Sequence, residues 1–182
     1  STSSSAIDRF ISTIAFCARA TFDDGKGKEA IALLETIEKR PRSWSVITYC
    51  NFLAFEIGDY MFNDTEYELA LKAYYRGAAE HGATVDVLSA IGSADLKLGR
   101  LGQAERTLRK ALEVDETFVP AWNNLGVVLM EKGEVAEASL VFKTAFALDS
   151  GQSDEIRNIF AWRSQSLKIL PMMHLWKVNS RW

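Results

Sequence analysis

The sequence predicts an all-α protein of stacked antiparallel helix pairs, and the first observation behind this prediction is an internal repeat of 34 residues. Three residues carry the repeat in each unit, a glycine, an alanine and a large apolar residue: Gly58, Ala70 and Tyr74; Gly92, Ala104 and Leu108; Gly126, Ala138 and Phe142. A glycine inside a helix costs about 1 kcal/mol relative to alanine, so its return at a fixed period indicates a packing requirement. Repeats of roughly 20 to 50 residues are typical of repeat arrays.

The second observation is the helical spacing of apolar residues within each unit. In the last unit this spacing predicts a first helix that starts near Pro120, a turn at Gly133 and a second helix that carries Ala138 and Phe142. Pro120 suits the first turn of a helix, where its missing N–H group would have no partner. Gly99 marks the same turn in the preceding unit. Each unit is therefore predicted to be helix, turn, helix.

The whole chain, residues 1–182, is predicted to form a single domain. Four units and a C-terminal segment divide it. The units cover approximately residues 8–42, 44–82, 85–116 and 119–150, and a C-terminal helix with a tail covers residues 153–182.

The first half of the chain departs from the regular period. Ala30 and Ala70 are 40 residues apart, and the six additional residues are expected to lengthen the next helix or the loop before it. Thr65 and Glu68 have the spacing of a capping box, so we expect Thr65 to open the second helix of its unit.

Composition excludes several classes of partner. The net charge is −3 at pH 7 without an evident basic face, so no nucleic acid is expected. Because no run of about 18 apolar residues occurs, we expect no direct membrane insertion. A cytoplasmic location is predicted, with a processed or membrane-anchored parent protein left open. Cys17 and Cys50 lie among apolar residues and are expected to be buried.

No catalytic, cofactor-binding or metal-binding residue is predicted. The two histidines, His81 and His174, have no cysteine, aspartate or glutamate at ligand spacing. Residues 25–28 read GKGK, but they lack the spacing of a phosphate-binding loop. The chain is therefore predicted not to be an enzyme.

The repeat resembles that of the tetratricopeptide repeat (TPR) family. In the last unit the matching residues are Trp122, Leu125, Gly126, Leu129, Ala138, Phe142 and Ala145. The resemblance covers about residues 10–150, with Asp95 in place of a bulky residue. It implies a TPR solenoid, a right-handed superhelix with a C-terminal capping helix, whose function is protein–protein interaction. We expect the two helices of the last unit to cross most closely at Gly126, with Ala138 facing it.

In TPR proteins the first helix of each pair lines a concave groove through its second, fifth, sixth and ninth positions. The resemblance implies ten partner-binding residues: Phe52, Phe55, Glu56, Asp59, Asp86, Ser89, Ser93, Asn123, Asn124 and Val127. An acidic groove favours a neutral or basic peptide. The amides of Asn123 and Asn124 can pair with a peptide backbone, although a solvated polar face is the alternative. Phe52 and Phe55 can instead pack against the neighbouring unit.

One TPR subclass holds the C-terminal carboxylate of heat-shock chaperones with Lys, Asn and Arg side chains. The matching positions here hold Ala15, Arg19, Glu56, Asp86 and Ala90. Only Arg19 could bind a carboxylate, so this activity is not predicted.

The C-terminal tail carries apolar side chains that suggest a docking role: Trp162, Met172, Met173, Trp176 and Trp182. Either the tail caps the last unit, or it docks onto a partner subunit, a second copy of the chain or the groove. The predicted function is a non-enzymatic scaffold or adaptor for a protein or peptide partner. The alternative is a structural subunit of a stable secretion, pilus or transport assembly, held through the tail or by self-association.

Overall fold

The computed structural model describes residues 2–37, 43–78 and 84–151, with side chains from Ala6 onward. Within these ranges the chain forms helices and no strand. The helices are α1 (Thr2–Asp23), α2 (Gly27–Glu35), α3 (Trp44–Asn63), α4 (Tyr67–Ala78), α5 (Val85–Lys97), α6 (Leu101–Val114), α7 (Val119–Glu131) and α8 (Val135–Asp149).

The helices pack as four sequential pairs, α1 with α2, α3 with α4, α5 with α6 and α7 with α8. The short turn within each pair makes its two helices antiparallel, so all four first helices run in the same direction. The first helices also contact one another, α1 with α3, α3 with α5 and α5 with α7. This confirms the predicted all-α fold of packed helix pairs. The unit boundaries stay predictions, and the expected capping helix and tail lie outside the described residues.

The repeated glycine makes room for the large apolar residue of its own pair. A Cβ atom placed on Gly58 would lie 2.5 Å from the Tyr74 ring, and one on Gly126 would lie 2.5 Å from the Phe142 ring. Gly92 stands in the same relation to Leu108. At Gly126 the three atoms nearest to such a Cβ all belong to Phe142, and the expectation that Ala138 faces Gly126 stays a prediction. In each pair a large side chain of the second helix fills the space where a Cβ atom would lie, which explains why the first helix carries a glycine there.

The turns within the pairs repeat a left-handed backbone conformation. Gly25, Gly99 and Gly133 have φ angles of 78°, 73° and 78°, which glycine adopts without steric cost. Thr65 takes the equivalent place in the second pair with a φ of 62°. The predicted capping box is therefore wrong, since Thr65 is a turn residue and α4 begins at Tyr67.

The buried apolar residues form two clusters. One joins α1 to α4 with Ile91 and Ala94 of α5, and the other joins α6, α7 and α8. Asp95 lies on α5 between the two and is only 3% exposed. Arg100 Nη1 lies 3.8 Å from its Oδ1. Burial raises the pKa of Asp95, and Glu68 adds to that effect while Arg100 opposes it.

Of the two cysteines, Cys50 is buried as expected, whereas Cys17 is exposed. Its equivalents one residue before the repeated glycine, Ile57, Ile91 and Leu125, are buried. Cys17 differs from these residues in lying on α1, the first of the described helices.

Candidate binding groove

The predicted groove residues lie on the first helices α3, α5 and α7, and we call the surface that these helices share with α1 the first-helix face. A contact between α1 and α3 supports this placement. Arg19 Nη1 of α1 lies 2.5 Å from Glu56 Oε2 of α3. Arg19 Nε also donates to Asp23 Oδ1 at 3.0 Å, and the hydrogen bond to Asp23 raises the pKa of Arg19. The side chains of these positions therefore meet across adjacent first helices.

Two exposed aromatic rings lie near this ion pair. Phe52 is 56% exposed on α3, one helical turn before Glu56. Phe16 is 70% exposed on α1, about one turn before Arg19. Phe52 was predicted from the sequence as a groove residue, whereas Phe16 was not, although Phe16 directly follows Ala15, a groove position of the first unit. Phe55 is half-buried and its ring centroid lies 5.7 Å from that of Tyr74, so it mainly fills space between α3 and α4.

The acidic residues of the face have different surroundings. Asp59 is exposed, and its Oδ1 accepts a hydrogen bond of 2.7 Å from the Tyr74 hydroxyl. Burial and this bond raise the pKa of Tyr74, so the hydroxyl remains a donor at neutral pH. Asp86 is exposed in the first turn of α5, where Thr84 caps the helix by accepting from the Val87 N–H. The first-helix face near the aromatic end therefore carries the carboxylates of Asp23, Glu56, Asp59 and Asp86, of which Asp23 and Glu56 bond Arg19.

The middle of the face offers little side-chain surface. Ser89 is buried and Ser93 is half-buried. Ser89 is therefore less accessible than a groove-lining residue needs to be.

The α7 end of the face is polar with one apolar residue. Asn123 and Val127 are exposed and Asn124 is half-buried. Among the described residues, no side-chain hydrogen bond joins either asparagine to a protein group. Both amides therefore retain donors and acceptors for a ligand.

A second open surface lies at the end of the stack, and we call it the α8 face. It is a depression of about 510 Å³ lined by Met130, Val135, Ser139, Phe142, Lys143 and Phe146. Phe146 is 66% exposed there. The predicted tail residues Trp162, Met172, Met173, Trp176 and Trp182 lie outside the described residues, so their relation to this face stays a prediction.

The described residues contain no group of three or more His, Cys, Asp or Glu side chains placed to hold a metal ion. No helix among them is both long enough and apolar enough to cross a bilayer. His81 and His174 lie outside the described residues.

Part of the chain matches known proteins in sequence. A tetratricopeptide repeat family model matches residues 89–153. Tetratricopeptide repeat protein 7B of Homo sapiens is 43% identical over 54 residues, which is 30% of this chain and 6% of that protein. Cellulose synthase operon protein C of Komagataeibacter xylinus is 33% identical over 70 residues, 38% of this chain and 5% of that protein. The chain thus spans only a small part of these curated relatives.

Solved structures show the same fold over more of the chain. The second TPR of Spaghetti (RPAP3), bound to the HSP90 peptide SRMEEVD, is 26% identical with a TM-score of 0.53, covering 56% of this chain and 88% of that one. MamA gives a TM-score of 0.60 at 20% identity, covering 79% and 81%. YrrB, described as a TPR protein with an unusual peptide-binding site, gives 0.55 at 18% identity, covering 88% and 81%. The repeated glycines, the helix pairs and these matches agree that the chain has the fold of tetratricopeptide repeat proteins and that residues 89–153 match that family's model.

Proposed function

We propose that this chain is a non-enzymatic adaptor that binds a peptide segment of a protein partner along the first-helix face. The observation that carries the proposal is the placement of accessible recognition groups on adjacent helices of one layer. Phe52 and Phe16 supply exposed rings at one end, and the amides of Asn123 and Asn124 supply donors and acceptors at the other. The relatives support it, since the RPAP3 domain was solved with a bound peptide. We assign the activity to the cytoplasm, as the sequence predicts.

The peptide bound here is expected to differ in charge from the acidic peptide SRMEEVD of that relative. Glu56 and Asp86 would repel its carboxylates, and Arg19 already contacts Asp23 and Glu56. Like charges brought together at an interface oppose binding. The peptide SRMEEVD therefore serves as a negative control.

A phage-displayed library of random 12-residue peptides tests the proposal. Selected peptides are labelled with fluorescein and titrated with the wild-type chain and with the double variant Asn123→Ala/Asn124→Ala. We expect the double variant to bind at least several-fold more weakly, because each amide can pair with a peptide backbone. Glu113→Ala, an exposed change on the second helix α6, is the matched control and is expected to bind normally. A library that yields no binder, or binders that no first-helix variant affects, contradicts the proposal.

The α8 face supports a second candidate, a structural subunit of a stable assembly. Its exposed residues Phe146, Val135 and Met130 form an apolar patch of the kind that marks an interface. Phe146→Glu in the full chain is expected to lower the molar mass in sedimentation velocity, with Lys110→Glu on α6 as the control. Unchanged mass contradicts this candidate. If Phe146→Glu lowers the melting temperature at constant mass, the face is covered by the chain itself, and the candidate also fails.

A further inference from the structure

We infer that the N-terminal end of the first-helix face selects a partner segment that carries a large apolar side chain followed or preceded closely by Lys or Arg. This inference rests on the proposed function and specifies its ligand. Two observations carry it: the exposed rings of Phe16 and Phe52, and the excess of carboxylates around them.

The two rings are neighbours across α1 and α3. Phe16 precedes Arg19 by three residues and Phe52 precedes Glu56 by four, and residues at these spacings share one side of a helix. Arg19 contacts Glu56, and α1 and α3 run in the same direction. Both rings therefore lie about one helical turn before this contact, on the same side of it. Exposed rings on adjacent helices present an apolar surface to which a large side chain can bind.

Arg19 is already committed within the protein. It bonds Asp23 and Glu56, and its guanidinium carbon lies 5.9 Å from the centroid of the Phe22 ring. Its charge is thus compensated by two carboxylates, and a peptide carboxylate would have to displace one of them. This arrangement disfavours acidic ligands.

Asp59 and Asp86 extend the face toward α5 and provide the attraction for a basic residue. The Tyr74 hydroxyl occupies Oδ1 of Asp59, which leaves Oδ2 available to a partner. Asp86 is exposed and has no ion pair with another described residue. A cationic side chain close to the apolar anchor would therefore gain charge complementarity, with the salt dependence of exposed groups.

Peptides selected from the same random library test the inference by their composition and by variants. We expect the selected sequences to be enriched in Phe, Tyr, Trp, Leu or Ile with Lys or Arg within about four positions. Phe52→Ser and Phe16→Ser are each expected to weaken binding about tenfold, since aromatic residues dominate contact energies. Asp59→Asn retains an acceptor for Tyr74 and is expected to reduce both the affinity and its salt dependence.

Phe10→Ser is the matched control, because Phe10 is 66% exposed on the same helix but points about 120° away from Phe16. It is expected to leave binding unchanged, and circular dichroism checks that all variants remain helical. Selected peptides rich in Asp or Glu, or binding that Phe16→Ser and Phe52→Ser both leave intact, overturn the inference. If those peptides still lose affinity with Asn123→Ala/Asn124→Ala, the proposed function survives while the inference fails.

Discussion

The two halves of the molecule, residues 2–78 and 84–151, keep the same internal packing but differ in what they expose. In both, a glycine of the first helix receives a large side chain of the second, Tyr74 at Gly58 and Phe142 at Gly126. The family model matches only residues 89–153, which lie in the second half apart from the last few. The first half instead exposes rings and carboxylates on its first helices. The repeated residues thus determine the contacts within a helix pair. The exposed positions do not take part in these contacts, so their side chains can differ and can bind a specific ligand.

The halves also differ in the length of their first helices. α3 has 20 residues, whereas α5 and α7 have 13 each. α3 begins at Trp44, 14 residues before Gly58, while α5 begins at Val85, 7 residues before Gly92. The additional residues therefore extend the start of α3 by about two turns. One of the two expectations from the sequence was that they lengthen this helix.

The largest expected effect comes from filling the glycine sites. Gly58→Ala is expected to destabilise the fold by about 2–3 kcal/mol, because the new methyl group meets the Tyr74 ring, which is 2% exposed and bonded to Asp59. Gly126→Ala should cost less, about 1 kcal/mol, since Phe142 is 36% exposed and can move aside. Urea denaturation measures both values.

Gly102→Ala is the control for this pair, since a Cβ at Gly102 has no neighbour nearer than 4.0 Å. It should leave stability unchanged or raise it by up to about 1 kcal/mol through helix propensity. Equal costs at Gly58 and Gly126 would contradict the role that we assign to the different burial of Tyr74 and Phe142.

An intermediate effect is expected at Asp95, the buried carboxylate between the two apolar clusters. Met61 and Leu129 occupy the equivalent place in the neighbouring pairs and are buried. Asp95→Leu is therefore expected to stabilise the protein by about 1–2 kcal/mol at pH 7, as replacement of buried charges often does. Thermal unfolding followed by circular dichroism measures it.

The pH dependence of stability tells whether ionisation of Asp95 favours or opposes folding. The pKa of Asp95 is raised in the folded state, so ionisation of its carboxyl group opposes folding. The stabilisation that the protonated carboxyl group contributes is present below the unfolded-state pKa and is lost as the pH rises through the folded-state pKa. Glu68, Arg100 and Tyr75 are the charged or titratable groups around it. The advantage of Asp95→Leu should consequently shrink as the pH falls toward 4. An advantage that is constant with pH contradicts this assignment.

The smallest effect is expected at the turn of the second pair. Thr65→Gly should stabilise the protein by about 0.5–1 kcal/mol, because a β-branched residue is strained at a positive φ angle. The reverse change at the matched turn, Gly99→Thr, should destabilise it by a similar amount. Differential scanning calorimetry of both variants checks the pair, and a lower melting temperature for Thr65→Gly would contradict the assignment.

The packing of helix pairs was predictable from the sequence because it depends on residues that repeat at a fixed period. The contact of the Phe142 ring with the Gly126 site was not predicted, since spacing alone does not tell which residue of a facing helix fills the space. The turn at Thr65 was missed because the glycine that marks it elsewhere is absent. Cys17 was expected to be buried because its sequence neighbours are apolar, but apolar neighbours alone do not determine which side of α1 is covered.

The candidate site was less predictable than the fold. The resemblance gave the positions of Phe52 and Glu56, whereas the contact of Glu56 with Arg19 depends on how α1 and α3 pack. The burial of Ser89 likewise depends on its neighbours in space. Phe16 directly follows Ala15, a groove position of the first unit, yet it was not among the predicted partner-binding residues, because its exposure depends on how α1 packs.

The most direct test of the central claim is a chemical-shift titration of the ¹⁵N-labelled chain with a library-selected peptide. We predict that the largest shifts occur on the first helices, beginning with Phe16 and Phe52 on α1 and α3 and reaching Asn123 on α7. Shifts confined to the second helices, or to the α8 face around Phe146, would contradict the account.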